Sequence, residues 1–266
     1  MSIYTTGLTL GYSLFLALAL GACFGSFLNC VAWRVAHREP WWTGRSRCPA
    51  CGHVLGLPDL VPVVSWLALR GRCRHCGTKV SGRYLCTEVL FAALTAACLL
   101  KFDLSLLCLR NWVFLGCLFC LSLVDLEIME IPDEVLLTAA GAWLVCLPFG
   151  GMTWQQAALH LLTGLGTGAA LLGLSLAMDH ILKKDSLGGG DIKLFALVGL
   201  YLGPASTLFA VMLSALLGLA FLLLLRRRDS GTEQFPFGPA IAAAAAVMML
   251  GGEGMVGWYL SLVGLS

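Results

Sequence analysis

The sequence predicts an all-α, multi-pass membrane protein of about eight transmembrane helices carrying one cytosolic zinc-ribbon loop. Three observations predict it. Hydrophobic residues make up 59% of the 266 and charged residues 12%, with a mean hydropathy of +0.86, whereas soluble domains average about a quarter charged. Apolar runs recur along the chain at lengths near the roughly 20 residues that cross a hydrocarbon core. The longest polar stretch holds two C-x-x-C pairs, Cys48-Pro-Ala-Cys51 and Cys73-Arg-His-Cys76.

The elements follow in order. Met1 to Trp33 contains no charged side chain; it is too long for a signal-peptide core and lacks a basic leader, so it reads as an uncleaved first span. Residues 34–83 form the polar loop. Residues 84–266 form a membrane core with apolar runs at Tyr84–Leu100, Leu104–Val124, Val135–Phe149, Trp154–Met178, Ile192–Leu202, Ala205–Leu225 and Pro239–Val263. The Ile192–Leu202 run is short and ends in Gly203-Pro204, which predicts a half-helix or a kink because proline removes a backbone donor. No internal repeat is evident.

Charge fixes the expected orientation. If the first span runs outside to inside, all but Lys101 and Arg110 of the 17 lysines and arginines fall on the inner side, and the positive-inside rule places the loop in the cytosol with both termini outside. Topology thus accounts for the basic residues, and no nucleic-acid partner is expected; the partner is the lipid bilayer.

Eight of the 12 cysteines lie in apolar runs, where cysteine behaves as a small hydrophobe. The other four, Cys48, Cys51, Cys73 and Cys76, match a closed four-thiolate zinc site, each pair followed by a glycine (Gly52, Gly77) suited to a knuckle turn. Disulfides are the competing account, disfavoured in a reducing cytosol. A closed site leaves no position for water, so the metal is expected to be structural. His53 and His75 are read as surface residues.

Two aspartates stand where long apolar runs meet polar sequence. Asp125 lies in Ser122-Leu-Val-Asp-Leu-Glu-Ile-Met-Glu-Ile-Pro-Asp133, and Asp191 closes Leu187-Gly-Gly-Gly-Asp191. A carboxylate at a membrane helix end costs free energy unless it is paired, hydrated or used. Under the predicted topology both lie on the cytosolic side and can meet, and two such groups sharing one proton supply a general base and a general acid. That is aspartic-protease chemistry.

The chain resembles the bacterial prepilin peptidases, bifunctional leader peptidases and N-methyltransferases, which are similar in plan to other G-x-G-D membrane aspartic proteases. The resemblance is carried by Phe24-Gly-Ser-Phe-Leu-Asn29, Trp33-Arg34, Ser46-Arg-Cys-Pro-Ala-Cys51, Val61-Pro-Val-Val-Ser-Trp66, Leu69-Arg-Gly-Arg-Cys-Arg-His-Cys76, Ser81-Gly-Arg-Tyr84 with Glu88, Val124-Asp-Leu-Glu127 with Ile131-Pro-Asp133, and Lys184-Asp-Ser-Leu-Gly-Gly-Gly-Asp-Ile-Lys-Leu194. It implies that Asp125 and Asp191 are the catalytic pair in an inner-membrane enzyme that cuts type IV prepilin or pseudopilin precursors on the cytosolic side. The cut falls after the glycine that ends a short basic leader, and S-adenosylmethionine then methylates the new amino terminus. Two departures are visible: Asp59 stands where many members have asparagine, and Gly189 where a tyrosine or methionine is common. No methyl-donor motif is apparent, so that site is unassigned.

Bland readings compete for several residues. Asp133, after Pro132, reads as an N-cap for the next span and as the rival to Asp125. Glu127 and Glu130 read as hydrated acids that would attract a basic leader. Lys183, Lys184 and Lys193 read as topology determinants, one of which could instead act on Asp191. His160 and His180 read as core or interface histidines, and Gly164-Leu-Gly-Thr-Gly168, Gly21-Ala-Cys-Phe-Gly25 and Ala240–Ala246 as close helix-packing surfaces. A metalloprotease would need an open site such as H-E-x-x-H, which the sequence lacks. A transporter or a pilus or secretion assembly platform with ion-binding carboxylates is the remaining alternative.

Overall fold

The computed structural model describes residues 7–41, 43–149, 152–183, 187–226 and 235–264. The expectations for Lys184, Arg227 and Arg228 lie outside the described residues. Among those residues the chain is helical: α1 (Gly7–Ala36), α2 (Val64–Ala68), α3 (Gly82–Phe102), α4 (Leu106–Ile128), α5 (Asp133–Cys146), α6 (Trp154–Leu182), α7 (Gly189–Leu202), α8 (Pro204–Arg226) and α9 (Gly238–Val263). Six of them, α1, α3, α4, α6, α8 and α9, are long and apolar enough to cross a membrane. This is a multi-pass membrane protein.

The two runs that separate this count from the eight read in the sequence are α5 and α7. Each is 14 residues, about 21 Å at 1.5 Å per residue, against a hydrocarbon core of about 30 Å. Helix α7 ends as its Gly203-Pro204 tail predicts, with Gly203 at φ 72° and Pro204 opening α8. It packs against α5, α6, α8 and α9, and Leu194, Phe195, Leu197, Val198 and Tyr201 are buried. Its apolar face is covered by protein, so its hydrophobicity reports a core helix.

The chain divides into two compact units, Met1–Trp112 and Val113–Ser266. In the first, α1 lies along α3 at glycine-mediated distance: a Cβ at Gly21 would fall 2.7 Å from the Ala92 Cα, and one at Gly25 3.1 Å from the Glu88 Cα. In the second, α6 and α7 meet at Gly164 and Gly199, where a Cβ on Gly199 would lie 2.8 Å from the Gly164 Cα. Without lipid-excluded apolar area to drive association, such close backbone contact is how membrane helices gain packing energy. The run Ala240–Ala246 has the same use, with Ala240, Ala242, Ala244 and Ala245 buried. His160 is a satisfied histidine, its Nδ1 3.0 Å from the Leu200 carbonyl, and the Tyr201 hydroxyl donates to the Ala139 carbonyl at 2.7 Å.

Candidate active site and metal centre

The buried face of α4 runs Phe114, Leu118, Leu121 and then Asp125, at spacings of four, three and four. That helical period, read on through the carboxylate, turns Asp125 inward; it is 4% exposed. Three residues later the helix stops. Met129 adopts a left-handed φ of 55° and donates its N–H to the Asp125 carbonyl at 2.9 Å, and Pro132 holds the chain extended before α5 begins.

Asp125 is held from a distant part of the chain. Its Oδ2 accepts the Gly238 N–H at 2.8 Å, across 113 residues. A Cβ at Gly238 would lie 2.8 Å from that same oxygen, so only glycine allows the first turn of α9 to come this close. Among the described residues Oδ1 makes no hydrogen bond.

Asp191 reaches the same place from α7. It sits in the first turn of that helix, partly exposed. Gly190 sets the approach, because a Cβ there would fall 2.9 Å from the Ile131 Cβ; the α7 start is pressed onto the α4–α5 connection. Gly189 has nothing within 4 Å of a Cβ, which explains why larger residues are accommodated between the two motif glycines. The start of α7, which carries Asp191, therefore meets the turn that follows Asp125 on α4.

Asp133 is not the N-cap that the sequence suggested. Pro132 occupies the cap position, and the Asp133 carboxylate makes no capping bond. It takes both of its oxygens to Lys193 Nζ, at 2.7 and 2.9 Å. Both partners are mostly exposed, so the pair contributes little stability, and Lys193 is engaged there. Glu127 and Glu130 are exposed acids.

The four loop cysteines also assemble. Their Sγ atoms lie within 4.8 Å of one another, and Cys48 and Cys76 are 3.9 Å apart, close to the roughly 3.8 Å edge of a tetrahedron with metal–sulfur bonds near 2.3 Å. The two knuckles are copies of one another, a local repeat that the sequence reading passed over although Cys-x-x-Cys-Gly occurs twice. Cys48 N–H donates to the His53 carbonyl, Gly52 N–H to Cys48 and Leu55 N–H to Ser46; 25 residues on, Cys73 donates to Thr78, Gly77 to Cys73 and Val80 to Gly71. Gly52 and Gly77 have matching φ values of 69° and 70°.

Hydrogen bonds from the Thr78 hydroxyl and then its backbone hold the Cys76 thiol down to about 6, and backbone contacts with Cys51 and Ala50 lower Cys48. Cys51, although its backbone contact with His53 pulls it down, is pushed up to about 11 by burial and by the thiols of Cys48 and Cys76. Crowded thiols that cannot all ionise alone form a set that could hold a metal ion. His53 and His75 are exposed, and their rings meet at a tilt of 34° with centres 3.5 Å apart. Asp59 bonds Arg74 of the second knuckle at 2.7 Å, which keeps its carboxyl below the usual range; an aspartate here gains an ion pair that asparagine would lack.

Comparison with known proteins bears on both units. Residues 19–102 match the profile described as the bacterial peptidase A24 N-terminal domain, and residues 112–223 match the type IV leader peptidase family. A prepilin leader peptidase/N-methyltransferase of Bacillus subtilis (strain 168) is 32% identical over 91% of this chain and 96% of its own. The chain belongs to the type IV leader peptidase family. Prepilin leader peptidase/N-methyltransferases from Myxococcus xanthus (35% identical, 83% of this chain, 67% of that one) and Burkholderia pseudomallei strain 1026b (33%, 91% and 86%) extend the likeness. No solved structure matches the chain. Membership in this family does not favour the transporter or assembly-platform alternative.

The sequence reading missed Gly238, whose only signal is the run Phe235-Pro-Phe-Gly-Pro239 ahead of the last helix. The metal centre yields the first prediction. Purified protein carries one bound metal ion per chain by elemental analysis, and Cys48→Ser or Cys73→Ser lowers that content by about tenfold or more, since serine is a poor soft-metal ligand. Metal-free protein with both cysteine pairs oxidised would refute a metal centre.

Proposed function

We propose that this chain removes the short basic leader from type IV prepilin or pseudopilin precursors at the cytosolic face of the bacterial inner membrane, with Asp125 and Asp191 as the catalytic pair. The new amino terminus is then N-methylated. The observation that carries this reading is the buried Asp125 carboxylate, anchored through one oxygen to the Gly238 N–H, with the α7 start that bears Asp191 pressed onto the α4–α5 connection. Family membership and the likeness to prepilin leader peptidases support the substrate class.

The chemistry follows from two carboxylates sharing one proton. The ionised member takes a proton from a water held between them, and the resulting hydroxide adds to the scissile carbonyl. The protonated member hydrogen-bonds to that carbonyl oxygen as it gains charge, and the tetrahedral species collapses with a proton delivered to the leaving amine. Gly238 occupies Asp125 Oδ2, leaving Oδ1 to face the water. Exposed Glu127 and Glu130 nearby favour a positively charged leader.

Zinc is the metal that four cysteine thiolates suit best, held by Cys48, Cys51, Cys73 and Cys76 in a closed structural site. The cytosolic placement of the loop rests on the asymmetry of lysine and arginine. When bound, S-adenosylmethionine supplies the electrophilic methyl group for the second activity.

Asp125→Ala and Asp191→Ala each abolish leader removal from a co-expressed prepilin, read as mass loss, while the protein stays folded and membrane-inserted; near-normal cleavage by either would refute the pair. Asp133→Asn retains measurable cleavage, because its ion pair with Lys193 lies at the surface.

Gly238→Ala places a methyl group against the anchored Asp125 oxygen and lowers the cleavage rate by about 100-fold or more, the loss typical of a catalytic group misplaced by an ångström. Unchanged kinetics in that variant would show that the Gly238 contact does not position Asp125.

Because a closed zinc site has no water to activate, a Cys48→Ser/Cys51→Ser variant still cuts at high substrate concentration and is insensitive to chelator. Loss of turnover on chelation at saturating substrate, in protein shown to be folded, would make the metal part of the cutting machinery.

A further inference from the structure

The first unit contains a cavity of about 560 Å³ between the latter half of α1 and the loop that follows it. Ser26, Cys30 and Arg34 reach it from one face of α1, spaced four apart; Trp41, Ser46 and Pro62 wall it from the loop. Its size lies in the range of small-molecule sites, roughly 300–1,000 Å³.

The informative residue is Arg34. It is 9% exposed, and the hydrogen bonds it makes among the described residues run from Nη1 to two neutral acceptors, the Trp41 carbonyl at 3.2 Å and the Thr43 carbonyl. No carboxylate among those residues pairs with it. Gly44, at φ 96°, leaves room beside the guanidinium: a Cβ there would sit 3.4 Å from Nη2. A guanidinium carries five donors and a full charge, and burying it beside carbonyls alone leaves that charge uncompensated. The open side of the group faces the cavity, so the cavity calls for an anionic ligand group. Trp41 adds an aromatic surface for a planar ring, and Ser26 and Ser46 add hydroxyls.

The wall opposite is rigidly held. Val63 has a left-handed φ of 62°, a strained state for a β-branched residue. Its N–H donates to the buried Glu88 Oε2 at 2.7 Å, which fixes Pro62 against the cavity.

We propose that this cavity binds S-adenosylmethionine, with its amino-acid carboxylate on Arg34 and its adenine against Trp41. This rests on the reading of the chain as an N-methyltransferase. That molecule combines the three features the cavity asks for: a carboxylate, ribose hydroxyls and a planar heterocycle. The placement is also economical, since the aspartate pair belongs to the other unit and the cavity lies within the segment matching the N-terminal domain profile.

The test uses the full chain in phosphatidylcholine nanodiscs, titrated calorimetrically with S-adenosylhomocysteine. Arg34→Gln weakens binding by about 10- to 100-fold, the worth of a charge-assisted pair, and Trp41→Ala by about tenfold. Asp125→Ala/Asp191→Ala binds as the wild type does. 5′-Methylthioadenosine, which lacks the carboxylate, binds wild type and Arg34→Gln equally weakly, a result that general unfolding would not give. Because Trp41 is half exposed, its variant is informative even if Arg34→Gln fails to fold. S-adenosylhomocysteine binding unchanged in both variants overturns the proposal. So does its absence from wild type while phosphatidylglycerol added to the discs is retained in an Arg34-dependent manner, which would assign the cavity to a lipid headgroup. The underlying reading fails separately, if wild type adds no methyl increment to a cleaved prepilin.

Discussion

A carboxylate on the inward face of an apolar membrane helix is the constraint around which the second unit is built. Asp125 continues the row Phe114, Leu118 and Leu121, and an unsatisfied carboxylate in that position would cost several kcal/mol. The satisfying donor is the Gly238 N–H, which obliges α9 to begin against α4 with no side chain at the contact. The preceding Phe237 is then wedged against α8 and α7: a Cβ at Gly218 would lie 2.5 Å from its ring, and Phe195 is 6.2 Å away between ring centres. Helix α7 in turn carries Asp191. One hydrogen bond therefore aligns the elements that deliver both carboxylates.

The polar loop meets a different constraint. Among the described residues of 37–81 only Cys48, Gly71 and Cys73 are buried, too little to fold a segment of that length unaided, and four cysteines that could hold a metal ion stand where a core would. The knuckle repeat makes this efficient, since each copy fixes two thiols through its own backbone hydrogen bonds before any metal arrives. The Asp59–Arg74 pair ties the intervening segment to the second knuckle, and Glu88 of α3 captures Val63. Those contacts join the loop to the α1–α3 pair within the same unit.

How much of this was legible in the sequence depended on whether the signal was local. Long apolar runs announced the six long helices, and the paired cysteines announced their cluster, because each depends on spacing within a few residues. Helix α7 was ambiguous because an apolar run looks the same whether lipid or protein covers it; here protein does. Asp133 was misread because a carboxylate after proline satisfies capping rules, and the competing partner, Lys193, is 60 residues away. Gly238 and the uncompensated charge on Arg34 could not be seen at all, since each is defined by residues that approach only when the chain folds.

On the proposed reading, with Asp125 and Asp191 as the catalytic pair, their positions account for where a cut can fall. A peptide inside the hydrocarbon core must keep its amides internally bonded as a helix, and a helical peptide bond is shielded from hydrolysis; an extended strand there would leave its amides unsatisfied. Cutting therefore belongs where helices end. Asp125 lies one turn before α4 stops, and Asp191 lies in the first turn of α7, directly after Gly188, Gly189 and Gly190. At such helix ends an extended strand finds backbone partners and water that the hydrocarbon core does not offer.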